Sequence, residues 1–377
     1  MLIHYWCPYL TNIATISSVK RSAIYLKKFD KKNEFNIEII NCYGEWSKFK
    51  NLNQKIIIKK PLTFLNLFNF LPKKNFLSKI SLIIIFILSF FPLLIKLNKE
   101  KPKYIIIHLL TSLPLILSPF LNKKTKIILR ISGLPKLNFF RKILWKLFSS
   151  KIFLVTTPTE ITKEDLIKQN IFDTKKIHIL RDPVIDVNEI NKLKSENINN
   201  PLLKDKNFYL AIGRFTNQKN FIFLVKEFSS IVNKLKTNKL CIIGDGEQKN
   251  LLQKFINKKN MQENIFLISY QSNPFKYIQN CKALISPSLY EDPGFVLIET
   301  LFLNKLIISS NSRNGPKEMS FKKDMGFFFE TNNSQDFQKK LLESEINDNY
   351  VKIINGKKFS KQFSVFNHCK KLKELIL

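Results

Sequence analysis

The sequence predicts an α/β protein of two Rossmann-like domains, each a parallel sheet covered by helices. Three observations carry that prediction. Short apolar runs rich in β-branched residues alternate with amphipathic helical segments along the chain. The alternation is interrupted by an Asn- and Lys-rich stretch at residues 187–206 and then resumes. A length of 377 residues exceeds what one hydrophobic core supports and suits two domains of roughly 150–200 residues.

Each element follows from local chemistry. Residues 1–6 (MLIHYW) read as a strand stopped by Pro8, and residues 13–29 as a helix. NIEIINC (36–42) is a second strand. KYIIIHLL (103–110), KIILRIS (126–132) and IFLVTTP (152–158) are continuous apolar runs, the pattern of parallel strands buried on both faces. Thr159 is placed to cap the helix TEITKEDLIKQ, and KIHIL (176–180) closes a domain spanning 1–186. After the linker at 187–206, a second domain is expected over 207–355. Its strands are FYLAIG, KLCIIG, IFLIS, ALISPS and LIISS, with helices between them. Residues 356–377 are expected to return as a helix to the first domain. Ligands of such sheets bind beyond the carboxyl ends of the strands, so the two domains are expected to face a central cleft.

Composition narrows the function. Apolar residues make up 45% of the chain, which excludes disorder throughout. The formal charge of +33 favours polyanions: nucleic acid, anionic lipid or phosphorylated substrates. Abundant Lys, Asn, Ile and Phe also match the bias of an AT-rich genome. No helix-turn-helix, zinc-finger or RNP pattern occurs and the lysines are dispersed, so nucleic acid is not the expected partner. Five scattered cysteines without a C-x-x-C pair suggest neither a zinc site nor a disulfide framework. A reducing, cytoplasmic location is expected, and MLIHYWCPYLTN lacks a secretory n-region.

Residues 80–95 (ISLIIIFILSFFPLLI) carry no charge. As a helix they span about 24 Å, short of the roughly 30 Å hydrocarbon core, and contain Pro92. A helix lying in a membrane interface or against the first sheet is expected ahead of a transmembrane span, the less favoured alternative. Lys73, Lys74, Lys79, Lys96, Lys99 and Lys101 flank it and suit anionic headgroups at the inner face of the cytoplasmic membrane.

The strongest chemical signal is SPSLYEDPGFVLIETLFLNKLIISS. Pro293 stands where a helix should begin, and the amides of Gly294, Phe295 and Val296 would offer a phosphate site at its N-terminus. Glu291 and Glu299 lie about 12 Å apart along such a helix, enough to grip hydroxyls at both ends of a nucleotide sugar. They serve equally as surface carboxylates flanking a core helix. Arg214 and Lys219 follow the strand that ends at Gly213, and two cations in such a loop can hold a diphosphate as it leaves. Gly244 and Gly246 occupy another strand-to-helix turn, a weak phosphate-loop signal without its third glycine.

In order and spacing, GRFTNQKN, IIGDGEQKNLL, SPSLYEDPGFVLIE and NGPKEM resemble the C-terminal half of the retaining GT-B glycosyltransferases, over about residues 207–330. That family includes the glycogen-synthase-like, sucrose-synthase-like and bacterial envelope-polysaccharide (group 1) enzymes. The resemblance implies that Arg214 and Lys219 contact the donor diphosphate, Glu291 faces the donor sugar and Glu299 binds the ribose. Gly294 and Phe295 would lend amides, with Gly213 and Gly244 beside the donor and Tyr270 and Gln271 beside the base. It further implies that His108, at the end of KYIIIH, touches the donor sugar near the reaction centre, although a lone histidine there serves as well in the core. Arg130 and Gly133 end the next strand toward the same cleft, where they serve equally as a structural turn. The family's Gly-Gly loop after the first strand is missing: Pro8-Tyr9-Leu10-Thr11-Asn12-Ile13 holds no glycine. His4, Tyr5 and Trp6 are then candidates for an acceptor site, and an aromatic trio there serves equally as core.

No D-x-D motif occurs, so transfer without a metal or other cofactor is expected, with Arg214, Lys219 and the helix N-terminus carrying the leaving-group charge. The partners implied are a nucleotide-diphosphate sugar, a glycan or lipid-linked glycan acceptor and an anionic membrane surface. A nucleotide-sugar epimerase of the same fold is the alternative, distinguished by release of free sugar without acceptor. A catalytically inactive sugar-binding homologue is disfavoured by the intact Glu291/Glu299 pair.

Overall fold

A computed structural model describes residues 1–11, 13–49, 56–63, 65–73, 77–133, 137–198, 203, 207–322 and 324–377. The chain forms two compact units, Met1–Pro183 with Val365–Leu377, and Val184–Ser364.

The first unit holds a six-stranded, all-parallel sheet. Its strands are β1 (Leu2–Trp6), β2 (Asn36–Ile39), β3 (Tyr104–Ile107), β4 (Lys126–Arg130), β5 (Ile152–Thr157) and β6 (Ile177–Ile179), in the order β2-β1-β3-β4-β5-β6. Both faces are covered. Along β3, Ile105 and Ile107 enter one hydrophobic cluster while Tyr104 and Ile106 enter the other. This double burial is why these strands read as continuous apolar runs. Thr159 caps helix Glu160–Lys168 as expected, its side chain accepting from the Thr162 amide. Helix Val365–Ile376 packs on helix Ala14–Lys28.

The second unit repeats the plan. Its strands are β7 (Tyr209–Ile212), β8 (Leu240–Ile243), β9 (Ile265–Ile268), β10 (Ala283–Ser286), β11 (Tyr290–Glu291), β12 (Leu306–Ser310), β13 (Arg313–Asn314) and β14 (Phe327–Phe329). Six of them form a second parallel sheet in the order β14-β12-β10-β7-β8-β9. β11 and β13 make a separate two-stranded ladder that pairs Tyr290 with Arg313 and Glu291 with Asn314. The α/β class and the paired parallel sheets match the expectation.

Three boundaries differ from the sequence reading. The stretch 187–206 opens with helix Val187–Leu193, capped by Asp186, whose carboxylate accepts from the Glu189 amide at 3.2 Å. Its one fully buried anchor is Ile190, so its composition resembles a linker. Residues 199–202 and 204–206 of that stretch lie outside the described residues. The return to the first unit begins at Val365 rather than at 356, because helix Tyr350–Ser360 packs on helix Phe295–Phe302 of the second unit. Finally, the apolar segment expected at 80–95 is part of a longer helix, Leu77–Glu100, which runs through Pro92. Of its flanking lysines, Lys74 lies outside the described residues.

Candidate active site

The carboxyl end of the second sheet is built by interlocked loops. The Phe215 amide donates to Asp245 O at 2.8 Å, and the Gln248 amide donates to Phe215 O at 3.0 Å. These bonds press the loop after β7 onto the loop after β8. A Cβ on Gly244 would lie 1.9 Å from Gly213 O. Gly244 is therefore required by backbone-to-backbone approach, a packing reason that accounts for the incomplete phosphate-loop pattern.

The loop after β7 is also stitched to the segment after β10, through three consecutive residues. Gln218 Nε2 donates to Tyr290 O at 2.9 Å and its carbonyl accepts from the Leu289 amide at 2.8 Å. Lys219 Nζ donates to Glu291 Oε1. Asn220, in the left-handed region at φ 57°, donates from Nδ2 to Pro287 O at 3.2 Å. Ser288 Oγ supplies a second donor to Glu291 Oε1, at 2.7 Å. Two donors fix one carboxylate oxygen in place, while the Lys219 ammonium retains two further N–H groups. The side chains of Lys219 and Glu291 are 20% and 12% exposed, so the pair is shielded more than a surface ion pair but remains reachable.

Immediately after Glu291, Asn314 of β13 donates to the Asp292 carboxylate at 3.0 Å and ties the turn to its neighbour. Pro293 does not open the helix, contrary to expectation. Gly294 is the N-cap at φ 89°, a backbone state that favours glycine, and the helix runs Phe295–Phe302. Its first closing bond runs from the Ile298 amide to Gly294 O, so the Phe295, Val296 and Leu297 amides have no helical acceptor. Glu299 sits on this helix and is buried. Arg214 is exposed. Tyr270 is exposed, and Gln271 turns back to Ser269 O at 3.2 Å. Sequence reasoning found Lys219 and Glu291 but missed Gln218, Asn220 and Ser288. Their only advance signal was a polar residue type at strand-end and helix-start positions.

The first unit presents its own concavity. A cavity of about 620 Å³ is lined by the loop after β1 (Pro8, Tyr9, Leu10, Thr11, Ile13), by His108, Arg130 and Gly133, and by Phe140, Leu144 and Leu82 among others. Asn12, Leu134 and Pro135 lie outside the described residues. Neither ring nitrogen of His108 has a hydrogen-bond partner among the described residues. Burial, and secondarily the Arg130 charge, hold its pKa well below the usual histidine value, so the ring is neutral. A buried, neutral, unpartnered imidazole in a cavity wall can donate from one nitrogen and accept at the other. Arg130 is committed elsewhere: its guanidinium is 2.8 Å from Asp182 Oδ1 and donates to Leu180 O.

Tyr5 and Trp6, expected as acceptor contacts, are fully buried core residues. The Tyr5 hydroxyl is hydrogen-bonded to Ser22 Oγ at 2.9 Å, and the Trp6 indole donates to Leu110 O at 3.4 Å. The reason is topological: β1 is an inner strand of a sheet covered on both faces, so its side chains have no route to solvent. His4 is buried with them. Its Nε2 lies 3.1 Å from Glu100 Oε2 and 3.7 Å from Glu38 Oε2, a grouping with metal-ligand residue types. Lys96 and Lys59 already pair with both carboxylates, at 2.7–3.3 Å, and fill the cation's place. Burial and the neighbouring Lys96 charge depress the His4 pKa to about 4.

The comparisons with known proteins agree with this architecture. Residues 194–358 match the family of glycosyl transferases group 1. An uncharacterised glycosyltransferase of Methanocaldococcus jannaschii is 30% identical over 319 residues, covering 78% of this chain and 73% of that protein. The N-acetylgalactosamine-N,N'-diacetylbacillosaminyl-diphospho-undecaprenol 4-alpha-N-acetylgalactosaminyltransferase of Campylobacter jejuni is 28% identical over 242 residues, 61% of this chain and 64% of that one. In fold, the chain superposes on the Anabaena protein HepE, crystallised with UDP and glucose, with a TM-score of 0.71 at 12% identity, over 99% of this chain and 98% of that one. Paired parallel sheets, a Lys–Glu site at the head of a helix and these matches together mean that the chain belongs to the group 1 glycosyltransferases of GT-B fold.

Proposed function

We propose that this glycosyltransferase takes a sugar from a nucleoside diphosphate sugar and transfers it, with retention and without a metal, to a lipid-linked glycan of the cell envelope. The observation that carries this reading is the Lys219–Glu291–Ser288 constellation directly before the Gly294-capped helix. It sets a cation and unpaired amides beside an anchored carboxylate. That combination suits a leaving diphosphate next to a sugar's hydroxyls.

In this reading Lys219, Arg214 and the amides of Gly294 and Phe295 take up charge as the anomeric C–O bond to phosphate breaks. Glu291 accepts hydrogen bonds from the donor sugar, and Glu299 from the ribose. Gly213 and Gly244 keep the loops close beside the donor, and Tyr270 and Gln271 border the base. The acceptor oxygen forms its bond on the face the phosphate leaves, and the departing phosphate oxygen takes the acceptor's proton. The cavity lined by Arg130 and Gly133 is assigned to the acceptor, and the neutral His108 in its wall to hydrogen bonding with the donor sugar. Two relatives support the substrate classes: HepE was crystallised with UDP, and the Campylobacter enzyme's name specifies a diphospho-undecaprenol acceptor.

The test is melting temperature against UDP-, GDP- and ADP-sugars, where ligand at 100-fold over Kd should add about 2.7 kcal/mol of stability. One nucleotide class should stand out, with the anomeric configuration kept in the product and turnover undiminished by EDTA. Silence toward every nucleotide sugar overturns the donor site. Free epimerised sugar formed without acceptor points to the epimerase alternative.

A further inference from the structure

Helix Leu77–Glu100 is apolar on its exposed face as well as on its buried one. The stripe it buries, Ser81, Ile85, Ser89, Leu93 and Leu97, contains two serines. These need internal partners: Ser81 Oγ donates to Pro72 O at 2.7 Å, and Ser89 Oγ meets Cys42 Sγ at 2.9 Å. Two positions on, about 200° around the helix, runs the stripe Ile83, Ile87, Phe91 and Ile95. Those side chains are 58%, 63%, 68% and 65% exposed. A helix covering a water-soluble core puts its polar residues outward. Here two serines face in beside Ile85, Leu93 and Leu97, while the apolar stripe Ile83, Ile87, Phe91 and Ile95 faces out.

A second helix continues the surface. Phe139–Phe148 buries Trp145 and leaves Phe139, Ile143 and Leu147 exposed. Both helices pack against the short helix Ser112–Leu117, and both wall the 620 Å³ cavity, through Leu82 on one and Phe140 and Leu144 on the other. A run of exposed large apolar side chains on neighbouring helices is the mark of a contact surface. Its charges have one sign: Lys79, Lys99, Arg141, Lys142 and Lys146 are exposed on the same two helices.

We propose that these two helices form a docking surface for an anionic lipid bilayer and lie in its interface, with the cavity between them receiving the acceptor's head from the membrane. Apolar stripes fringed by lysine and arginine complement acyl chains beneath anionic headgroups. The longer helix does not cross the bilayer. Ile85, Leu93 and Leu97 belong to the first unit's core, and its end is tied down by Lys59 and His4 to Glu100 and by Asn98 to Phe120 O. The proposal rests on the lipid-linked acceptor reading only for the purpose of the surface, because docking is measured without substrate.

The experiment is co-sedimentation of the full chain with vesicles of phosphatidylglycerol and phosphatidylcholine, or of phosphatidylcholine alone. The wild type should bind the anionic vesicles, and high salt should weaken that binding. Ile87→Asp/Phe91→Asp and, independently, Phe139→Asp/Leu147→Asp should each lower the bound fraction at least tenfold at unchanged melting temperature. Ile346→Asp, an exposed apolar site in the second unit, should bind as wild type. Wild-type binding by both double variants, or no binding of the wild type to anionic vesicles, overturns the proposal. So does a wild-type dimer that both double variants dissociate while vesicles capture none of the proteins, which makes the face a contact between copies. Docking that persists in an enzyme using only soluble acceptors leaves this surface standing and refutes the lipid-linked acceptor instead.

Discussion

Lys219 and Glu291, 72 residues apart in sequence, share a hydrogen bond that joins the loop after β7 to β11. Gln218 and Asn220 on either side of Lys219 bond to the same segment. Two sequence motifs are thus one physical object, and substitutions in either should be read as changes to both.

Lys219→Ala should slow turnover by about 10²–10³-fold, the usual cost of removing one donor to a developing anion, with a smaller change in donor KM. Ser288→Ala leaves the ion pair but removes the second donor to Glu291, and should produce a milder loss of the same kind. Steady-state kinetics on both variants checks the order; equal effects on kcat from the two would remove Lys219 from the leaving-group role.

On the proposed reading, Glu299→Ala should act on binding. Losing hydrogen bonds to a charged acceptor should weaken nucleotide affinity by about 10–100-fold. Titration calorimetry with the free nucleotide reads this without involving the reaction. Unchanged affinity would return Glu299 to a packing role on its helix.

Gly244→Ala forces a methyl group to within 1.9 Å of Gly213 O. Backbone must move, so stability should fall by about 1–3 kcal/mol, read by denaturant titration. Donor affinity should fall with it, because the displaced loop carries Arg214.

The pH dependence of stability has two opposed parts. The His368 ring donates from Nδ1 to Arg181 O at 2.6 Å and accepts at Nε2 from Ser22 Oγ at 2.8 Å. A carbonyl cannot donate, so the tautomer is fixed and Ser22 accepts in turn from Tyr5. Burial holds His368 at about 4, as it does His4. Between the unfolded value near 6.5 and 4 the unfolded chain binds more protons, so stability present above pH 6.5 is lost as pH falls. Glu45 is opposite in sign. Burial raises its carboxyl to about 7 despite bonds from the Cys42 and Tyr43 amides. Its contribution is full below about 4.5 and is lost as pH rises to 7. Denaturation midpoints from pH 4 to 8 should show Glu45→Gln abolishing part of the decline toward 7 and His368→Gln flattening the acid limb.

The strands were legible because double burial writes itself as uninterrupted apolar runs, as in KYIIIH and KLCIIG. β14, Phe327–Phe329, leaves no mark in the sequence because three phenylalanines are too few to show a period. Helix Val187–Leu193 reads as linker in the sequence because one buried isoleucine suffices to anchor it. Lys219 and Glu291, which the structure pairs, stand out in the sequence because charged residues beside strand ends and glycines are chemically conspicuous.

Alternation of strand and helix by itself determined the α/β class, the doubling of the sheet and the position of the charged loops, since hydrophobic periodicity and turn chemistry are local. Which residues touch was decided only in three dimensions. Tyr5 and Trp6 went to the core because β1 is an inner strand, and strand order is not written in any one segment. Lys219 met Glu291 because β7 and β10 are sheet neighbours. The serine stripe of helix Leu77–Glu100 turned inward because Pro72 O and Cys42 waited there. Partners distant in sequence decide the orientation of a side chain, and no local pattern contains them.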